Sequence, residues 1–123
     1  MAEIPTIEQA QEDLAHRLQE LEQELDKEFA IEMAGMFVND TPELIDAIQK
    51  SIDAKDSALL AQTAHKLKGS SLNLGATRLA AFCLELELLG KSGAPIPQGT
   101  SVASILEEFQ HLKQFLLQYS GKQ

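Results

Sequence analysis

One histidine of this 123-residue chain has neighbours that could take part in chemistry. His65 lies in the segment AHKLKGSS, residues 64–71. On an α-helix the residues three, four and seven positions further on share its face, and these are Lys68, Gly69 and Leu72. Imidazole is a nucleophile near neutral pH, a lysine stabilises anionic charge, and a glycine leaves room for a second molecule. The combination suits transfer of an anionic group, such as a phosphoryl group, although a lone histidine on a helix flank is more often an ordinary exposed side chain.

The composition excludes several classes of protein. The chain carries 19 acidic and 10 basic residues, a formal net charge of −9, and one cysteine. We expect no nucleic-acid partner, because binding to phosphates depends on clustered Lys and Arg. A single cysteine forms no internal disulfide, and no apolar segment approaches the roughly 20 residues that cross a bilayer. With no signal peptide at the N-terminus, the sequence predicts a cytoplasmic protein without a membrane span.

The acidic charge is concentrated at one end of the sequence. Residues 1–40 contain eleven acidic and two basic residues, so they account for the whole net charge. The remaining residues contain eight of each kind and are neutral overall. We interpret the acidic run as a solvated helix face that favours solubility.

The spacing of apolar residues predicts an all-α protein. The helices are predicted from Thr6 to about Gln23, with an apolar stripe that continues to Phe37, and then at Pro42 to about Ala54, Ser57 to about Leu72, Ala76 to about Leu89, and Ser101 to about Tyr119. Thr41 is expected to cap the helix that begins at Pro42, and Gly90 is expected to end the fourth helix. The pattern indicates an antiparallel four-helix bundle with an additional N-terminal helix.

Several other side chains are expected to have structural roles. Those predicted to pack in the core are Ser71, Cys83 and the pair Met33 and Met36. His16 and His111 lie off the apolar stripes of their helices and are expected to be exposed.

A pattern of about a dozen positions extends beyond the histidine segment. It comprises A-H-x-L-K-G-S-S at 64–71, Leu-Gly-Ala at 74–76, then Leu79, Cys83 and the pair Leu86-Glu87. This pattern resembles the histidine-containing phosphotransfer (HPt) family of two-component phosphorelays. The resemblance covers about residues 24–120. It implies an HPt four-helix bundle over 24–123, preceded by an acidic amphipathic helix over 1–23.

The resemblance implies a role for each residue of the motif. His65 would accept a phosphoryl group on Nε2 from a receiver aspartyl phosphate and pass it to another receiver. Lys68 would contact the phosphoryl oxygens, and Gly69 would give clearance to the incoming receiver. Glu87 would accept a hydrogen bond from Nδ1 of His65 and so fix the tautomer.

The same resemblance suggests which residues meet the partner. Lys66, Arg78 and Lys91 are candidates for contacts with phosphate or receiver, and Leu72 for an apolar docking patch. Mg²⁺ would be held by the carboxylates of the receiver, so no cofactor or metal site is expected on this chain. With no Gly-rich nucleotide loop, the chain is expected to be a carrier and not an enzyme. The N-terminal apolar stripe could pack on its own bundle, pair with a second copy, or continue a helix from an upstream domain. We expect the first of these, and a monomer.

Two other functions remain open from the sequence. The domain could receive its phosphoryl group directly from the ATP-binding domain of a histidine kinase, or it could be an inactive adaptor bundle. The segment KLKGSS resembles the branch of the family that is coupled to receivers. The presence together of His65, Lys68, Gly69 and Glu87 argues against an inactive adaptor.

Overall fold

The structure is a computed structural model that describes residues 3–121. It contains five helices, α1 (Ile7–Glu24), α2 (Lys27–Asp53), α3 (Ser57–Leu74), α4 (Thr77–Lys91) and α5 (Ala103–Tyr119). Within the described residues there is no strand, and the predicted all-α bundle with an additional N-terminal helix is confirmed. Over the same range, every helix is too short or too polar to span a bilayer.

The first three helices begin at polar residues that cap them. The side chains of Thr6, Asp26 and Asp56 each accept a hydrogen bond from the backbone N–H three residues further on. Such a cap stabilises a helix by about 1 kcal/mol, because it satisfies a donor that has no partner within the helix. The cap at Asp26 separates α1 from α2, so the chain turns there rather than before Pro42.

The predicted helix start at Pro42 is wrong, because Pro42 lies inside a continuous α2. Thr41 is not an N-cap. It is buried, and its hydroxyl donates to the carbonyl oxygen of Phe37 at 2.6 Å. Pro42 is exposed, so its ring lies at the helix surface. Burial of Phe37 before the proline and Ile45 after it outweighs the local preference of proline for a helix start.

The turn between α1 and α2 also changes which apolar residues are buried. The members of the predicted stripe that are exposed are Ile7, Leu25, Phe29 and Met36. Met33 packs partly against the core, whereas Met36 is 62% exposed, so the expected core position of Met36 is wrong. The predicted stripe runs through a segment that is two helices, and each helix presents its own face to the core.

The core is built around α3, which lies between α2 and α4. The buried residues of α3 are Leu60, Ala64, Leu67, Ser71 and Leu74, as their spacing predicts. The N-terminal helix α1 adds Leu14, Leu18 and Leu21 to the same cluster. The expected packing of α1 on its own bundle is therefore confirmed. Ser71 and Cys83 are buried, and His16 and His111 are exposed, also as predicted.

The turn that joins α3 to α4 is held by α1. Gly75 has a φ of +79°, a conformation that favours glycine, and a Cβ there would lie 2.6 Å from Cβ of Arg17. Nε of Arg17 donates to the carbonyl oxygen of Asn73 at 2.9 Å. Thr77 donates its hydroxyl proton to Asp13 at 2.7 Å. These contacts fix the hairpin of α3 and α4, the two helices that carry the candidate site.

Gly90 does not end α4, contrary to the prediction. The helix continues to Lys91, and Gly90 is buried within it. A Cβ at Gly90 would lie 2.6 Å from two backbone atoms of α3, the nitrogen of Ala61 and the carbonyl oxygen of Ser57. The glycine is required by this close approach of two helices and not by a helix terminus.

Candidate phosphotransfer site

The imidazole of His65 projects from α3 into solvent, and one of its ring nitrogens contacts a residue of α4. About 65% of the side chain is exposed, and Nδ1 lies 2.8 Å from Oε2 of Glu87. An ionised carboxylate only accepts hydrogen bonds, so Nδ1 must carry the proton in this contact. Nε2 of the neutral ring is then unprotonated and able to act as a nucleophile.

Glu87 is a buried carboxylate that is surrounded by three basic side chains. Its side chain is 1% exposed, and besides His65 it meets Nζ of Lys68 at 2.6 Å and Nζ of Lys91 at 2.9 Å. Burial alone would raise the pKa of Glu87. The contacts with Lys68, Lys91 and His65 outweigh burial and lower the pKa to about 2. Glu87 is therefore ionised at neutral pH, as the tautomer of His65 requires.

The two lysines that contact Glu87 approach it from different helices. Lys68 lies one turn after His65 on α3 and is mostly buried, whereas Lys91 lies at the end of α4 and is mostly exposed. Lys66 is exposed and borders the same shallow groove as His65, Glu87 and Lys91. The site thus places three lysines around an exposed imidazole, an arrangement that favours an anionic group.

The surface of α3 beyond His65 is open. Gly69 is exposed, and a Cβ added there would have no atom within 4 Å. Leu72, one turn further, is 52% exposed. A second exposed leucine, Leu59, borders the groove on the other side of His65 and was missed from the sequence. The sequence does contain a signal for Leu59, because it is an apolar residue of α3 that lies outside the core stripe.

The structure does not place Arg78 with the other predicted site residues. Arg78 lies nine positions before Glu87 on α4. This spacing is about two and a half helical turns, so the two side chains lie on opposite sides of the helix. Its guanidinium contacts Oε1 of Glu108 at 3.3 Å and donates to the carbonyl oxygen of Pro5 at 2.7 Å. The expectation that Arg78 belongs to the face around His65 is wrong, because Arg78 joins α4 to α5 and the N-terminal segment.

The cysteine behind the site is a packing residue. Cys83 is fully buried one turn before Glu87, and burial, together with the charge of Glu87, raises the pKa of its thiol to about 12. A thiol that stays protonated at neutral pH is a poor nucleophile. In the part of the chain from 3 to 121, His, Cys, Asp and Glu side chains form no cluster of three that could hold a metal ion.

The sequence and the fold match known proteins. A family model described as "Hpt domain" matches residues 32–115. The crystal structure of histidine-containing phosphotransfer protein B (HptB) from Pseudomonas aeruginosa PAO1 superposes with a TM-score of 0.78 and 27% identity. The match covers 86% of this chain and 91% of that one. No curated protein matches the sequence. With a family match over most of its length and a site centred on His65, the chain belongs to the Hpt family of histidine phosphotransfer proteins.

Proposed function

We propose that the protein carries phosphoryl groups between receiver domains. In this proposal Nε2 of His65 takes the group from an aspartyl phosphate of one receiver and later donates it to an aspartate of another. The observation that carries the proposal is the hydrogen bond from Nδ1 of His65 to the buried carboxylate of Glu87, on a ring that is otherwise exposed.

Transfer of the phosphoryl group to His65 requires no loss of a proton from the imidazole. The lone pair of Nε2 forms a bond to phosphorus, and the bond between phosphorus and the aspartyl oxygen breaks, which leaves a carboxylate on the donor. The proton on Nδ1 stays in place, so the imidazole ring becomes positively charged. Glu87 stabilises that charge, as an orienting carboxylate does beside a catalytic histidine. Donation to the second receiver is the reverse of these steps.

The surrounding residues support the same reaction. Lys68 and Lys91 contact the carboxylate that holds the His65 ring, and in this proposal they balance the charge of a phosphoryl group on that ring. Gly69 gives the approaching receiver access to the surface of α3. Lys66 would contact the receiver itself, because a receiver site rich in carboxylates attracts a basic face. The exposed Leu72 would contribute apolar surface to the same contact. The Mg²⁺ of the reaction would be bound by those receiver carboxylates.

The proposal is tested by transfer of ³²P from a phosphorylated receiver domain. We expect label on this chain that is labile in acid and stable in base, the behaviour of a phosphohistidine. The variant His65→Gln should keep the same helical circular dichroism and take up no label. Labelling of that variant at the wild-type rate would overturn the assignment of His65.

The alternatives give different results in the same assay. The labelled protein is next mixed with a second, unphosphorylated receiver, to which the label should move. Label that comes from ATP and a histidine-kinase ATP-binding domain, but never from a receiver, would replace the receiver donor with a kinase donor. Absence of label from either source would favour an adaptor without phosphotransfer activity.

A further inference from the structure

Gly90 is placed where α4 comes closest to α3. Glycine destabilises a helix interior relative to alanine, so a buried glycine within a helix calls for a packing reason. Here a Cβ would lie 2.6 Å from the nitrogen of Ala61 and from the carbonyl oxygen of Ser57, and 3.0 Å from Cα of Ala61. All three are backbone atoms of α3, which cannot rotate away as a flexible side chain would.

This contact lies one helical turn from the candidate site on both helices. Gly90 follows Glu87 by three residues on α4, and Ala61 precedes His65 by four on α3. The two helices are antiparallel neighbours, so both steps run in the same direction along the pair. The backbone contact is therefore about 5 Å, one turn, from the bond between His65 and Glu87.

We infer that Gly90 is a positioning residue for phosphotransfer, since it lets α4 approach α3 closely enough for Glu87 to hold Nδ1 of His65. Ordinary van der Waals contact begins at 3.4 Å, so a Cβ at position 90 would push the helices apart by about 0.8 Å. If the 2.8 Å distance between Nδ1 of His65 and Oε2 of Glu87 grew by this amount, it would exceed hydrogen-bond distance. Glu87 would move with α4, because its backbone belongs to that helix and its Oε2 is also held at 2.9 Å by Nζ of Lys91 on the same helix.

The inference is tested with Gly90→Ala and the ¹⁵N resonances of the His65 ring, measured without phosphate at a pH where the ring is neutral. In the wild type the Nδ1–H tautomer should predominate. In the variant we expect the ratio of Nδ1–H to Nε2–H to fall by about tenfold, the effect of losing a hydrogen bond to a charged acceptor. An unchanged tautomer ratio in a folded variant would overturn the inference.

The matched control is Gly35→Ala. Gly35 also lies inside a helix, α2, but a Cβ there would meet no atom within 4 Å. This variant should keep the wild-type tautomer ratio, and an equal change in both variants would show a general effect of helix substitution and reject the role of Gly90. If Gly90→Ala alone does not fold, the change is repeated in the Gly35→Ala background, which should be more stable. An unfolded double variant would assign Gly90 to folding alone and also reject the inference.

The consequence for activity rests on the function proposed above. We expect Gly90→Ala to take up the phosphoryl group about 10 to 100 times more slowly, because a displacement near 1 Å misaligns the reacting atoms. A folded variant with an altered tautomer ratio but wild-type uptake would overturn the role in phosphotransfer. If the wild-type protein takes up no phosphoryl group, the proposed function fails, and the tautomer measurement still decides whether Gly90 positions Glu87.

Discussion

Gly69 is the residue at which folding and phosphotransfer should separate most clearly. It is exposed on α3 one turn from His65, and a side chain there would meet nothing within the protein. Glycine is nevertheless a poor helix former. Gly69 therefore lowers the local stability of α3, and in the proposed function it gives the receiver access to His65.

We predict that Gly69→Gln folds and is more stable than the wild type by up to about 1 kcal/mol, since glutamine is the better helix former. Phosphoryl uptake from a receiver should nevertheless fall at least about tenfold, because the new side chain occupies the approach to His65. Urea unfolding and the ³²P assay measure the two effects on the same samples. Normal uptake by a folded variant would contradict the proposed clearance.

Glu87 should leave a signature in the pH dependence of stability. Its folded-state pKa, about 2, lies below the ordinary value of 4.5. Its ionised form therefore contributes stability that is complete above pH 4.5 and is lost as the pH falls through about 2. In Glu87→Gln this contribution is absent, so the difference in free energy of unfolding from the wild type should shrink between pH 4.5 and 2.

The measurement is urea unfolding at a series of pH values, with Glu85→Gln as the control. Glu85 is an exposed glutamate of the same helix and has no basic side chain within ion-pair distance among the described residues. Its variant should follow the wild-type pH dependence in parallel. A Glu87→Gln variant that is also parallel to the wild type over this range would contradict the ion-pair arrangement around Glu87.

At the scale of the elements, the long helix α2 is the main departure from the sequence prediction. The proline pattern favoured a start at Pro42, and the structure instead begins α2 at Lys27, after the cap at Asp26. We predict that Pro42→Ala stabilises the protein by up to about 3 kcal/mol, because alanine restores the missing backbone N–H within the helix. The restored N–H would donate to the carbonyl oxygen of Val38, four residues earlier.

Urea unfolding checks this prediction, with Glu43→Ala as an exposed neighbour that keeps its backbone N–H. That control should change the free energy of unfolding by no more than about 0.5 kcal/mol. If a helix began at Pro42, alanine would remove a favourable first residue. Equal or lower stability of Pro42→Ala would therefore contradict a continuous α2.

At the scale of the whole molecule, the charge is divided between two regions. The net charge of −9 lies within residues 1–40, a range that includes α1 and the first half of α2. α1 contacts the turn at Gly75, ten residues along α3 from His65, or about 15 Å. That distance exceeds the Debye length of about 8 Å at physiological ionic strength, so the charges of α1 near this turn are largely screened from the site.

We predict that reversing two charges of the acidic region, with Glu8→Lys and Glu12→Lys, changes phosphoryl uptake less than about twofold at physiological ionic strength. Lys66→Glu should slow uptake about three- to tenfold at low salt, and less at high salt, because it places a negative charge beside His65. The ³²P assay at several salt concentrations measures both. A larger effect from the α1 variant than from Lys66→Glu would contradict this division of charge.

The sequence by itself determined the part of the site that lies on one helix. His65, Lys68, Gly69 and Leu72 share a face because the period of the α-helix is fixed by local hydrogen bonding, so spacing alone relates them. The same local periodicity identified the buried stripe of α3 and the all-α class. The family pattern added Glu87, whose contact with His65 the structure then placed at 2.8 Å.

Tertiary structure alone decided which faces of the helices meet. It carried α2 through Pro42 and gave Gly90 a contact with α3 in place of a helix end. It also enclosed Glu87 among three basic side chains from two helices. These outcomes depend on which distant apolar surfaces are buried together, and burial between helices is a long-range effect that local spacing does not contain.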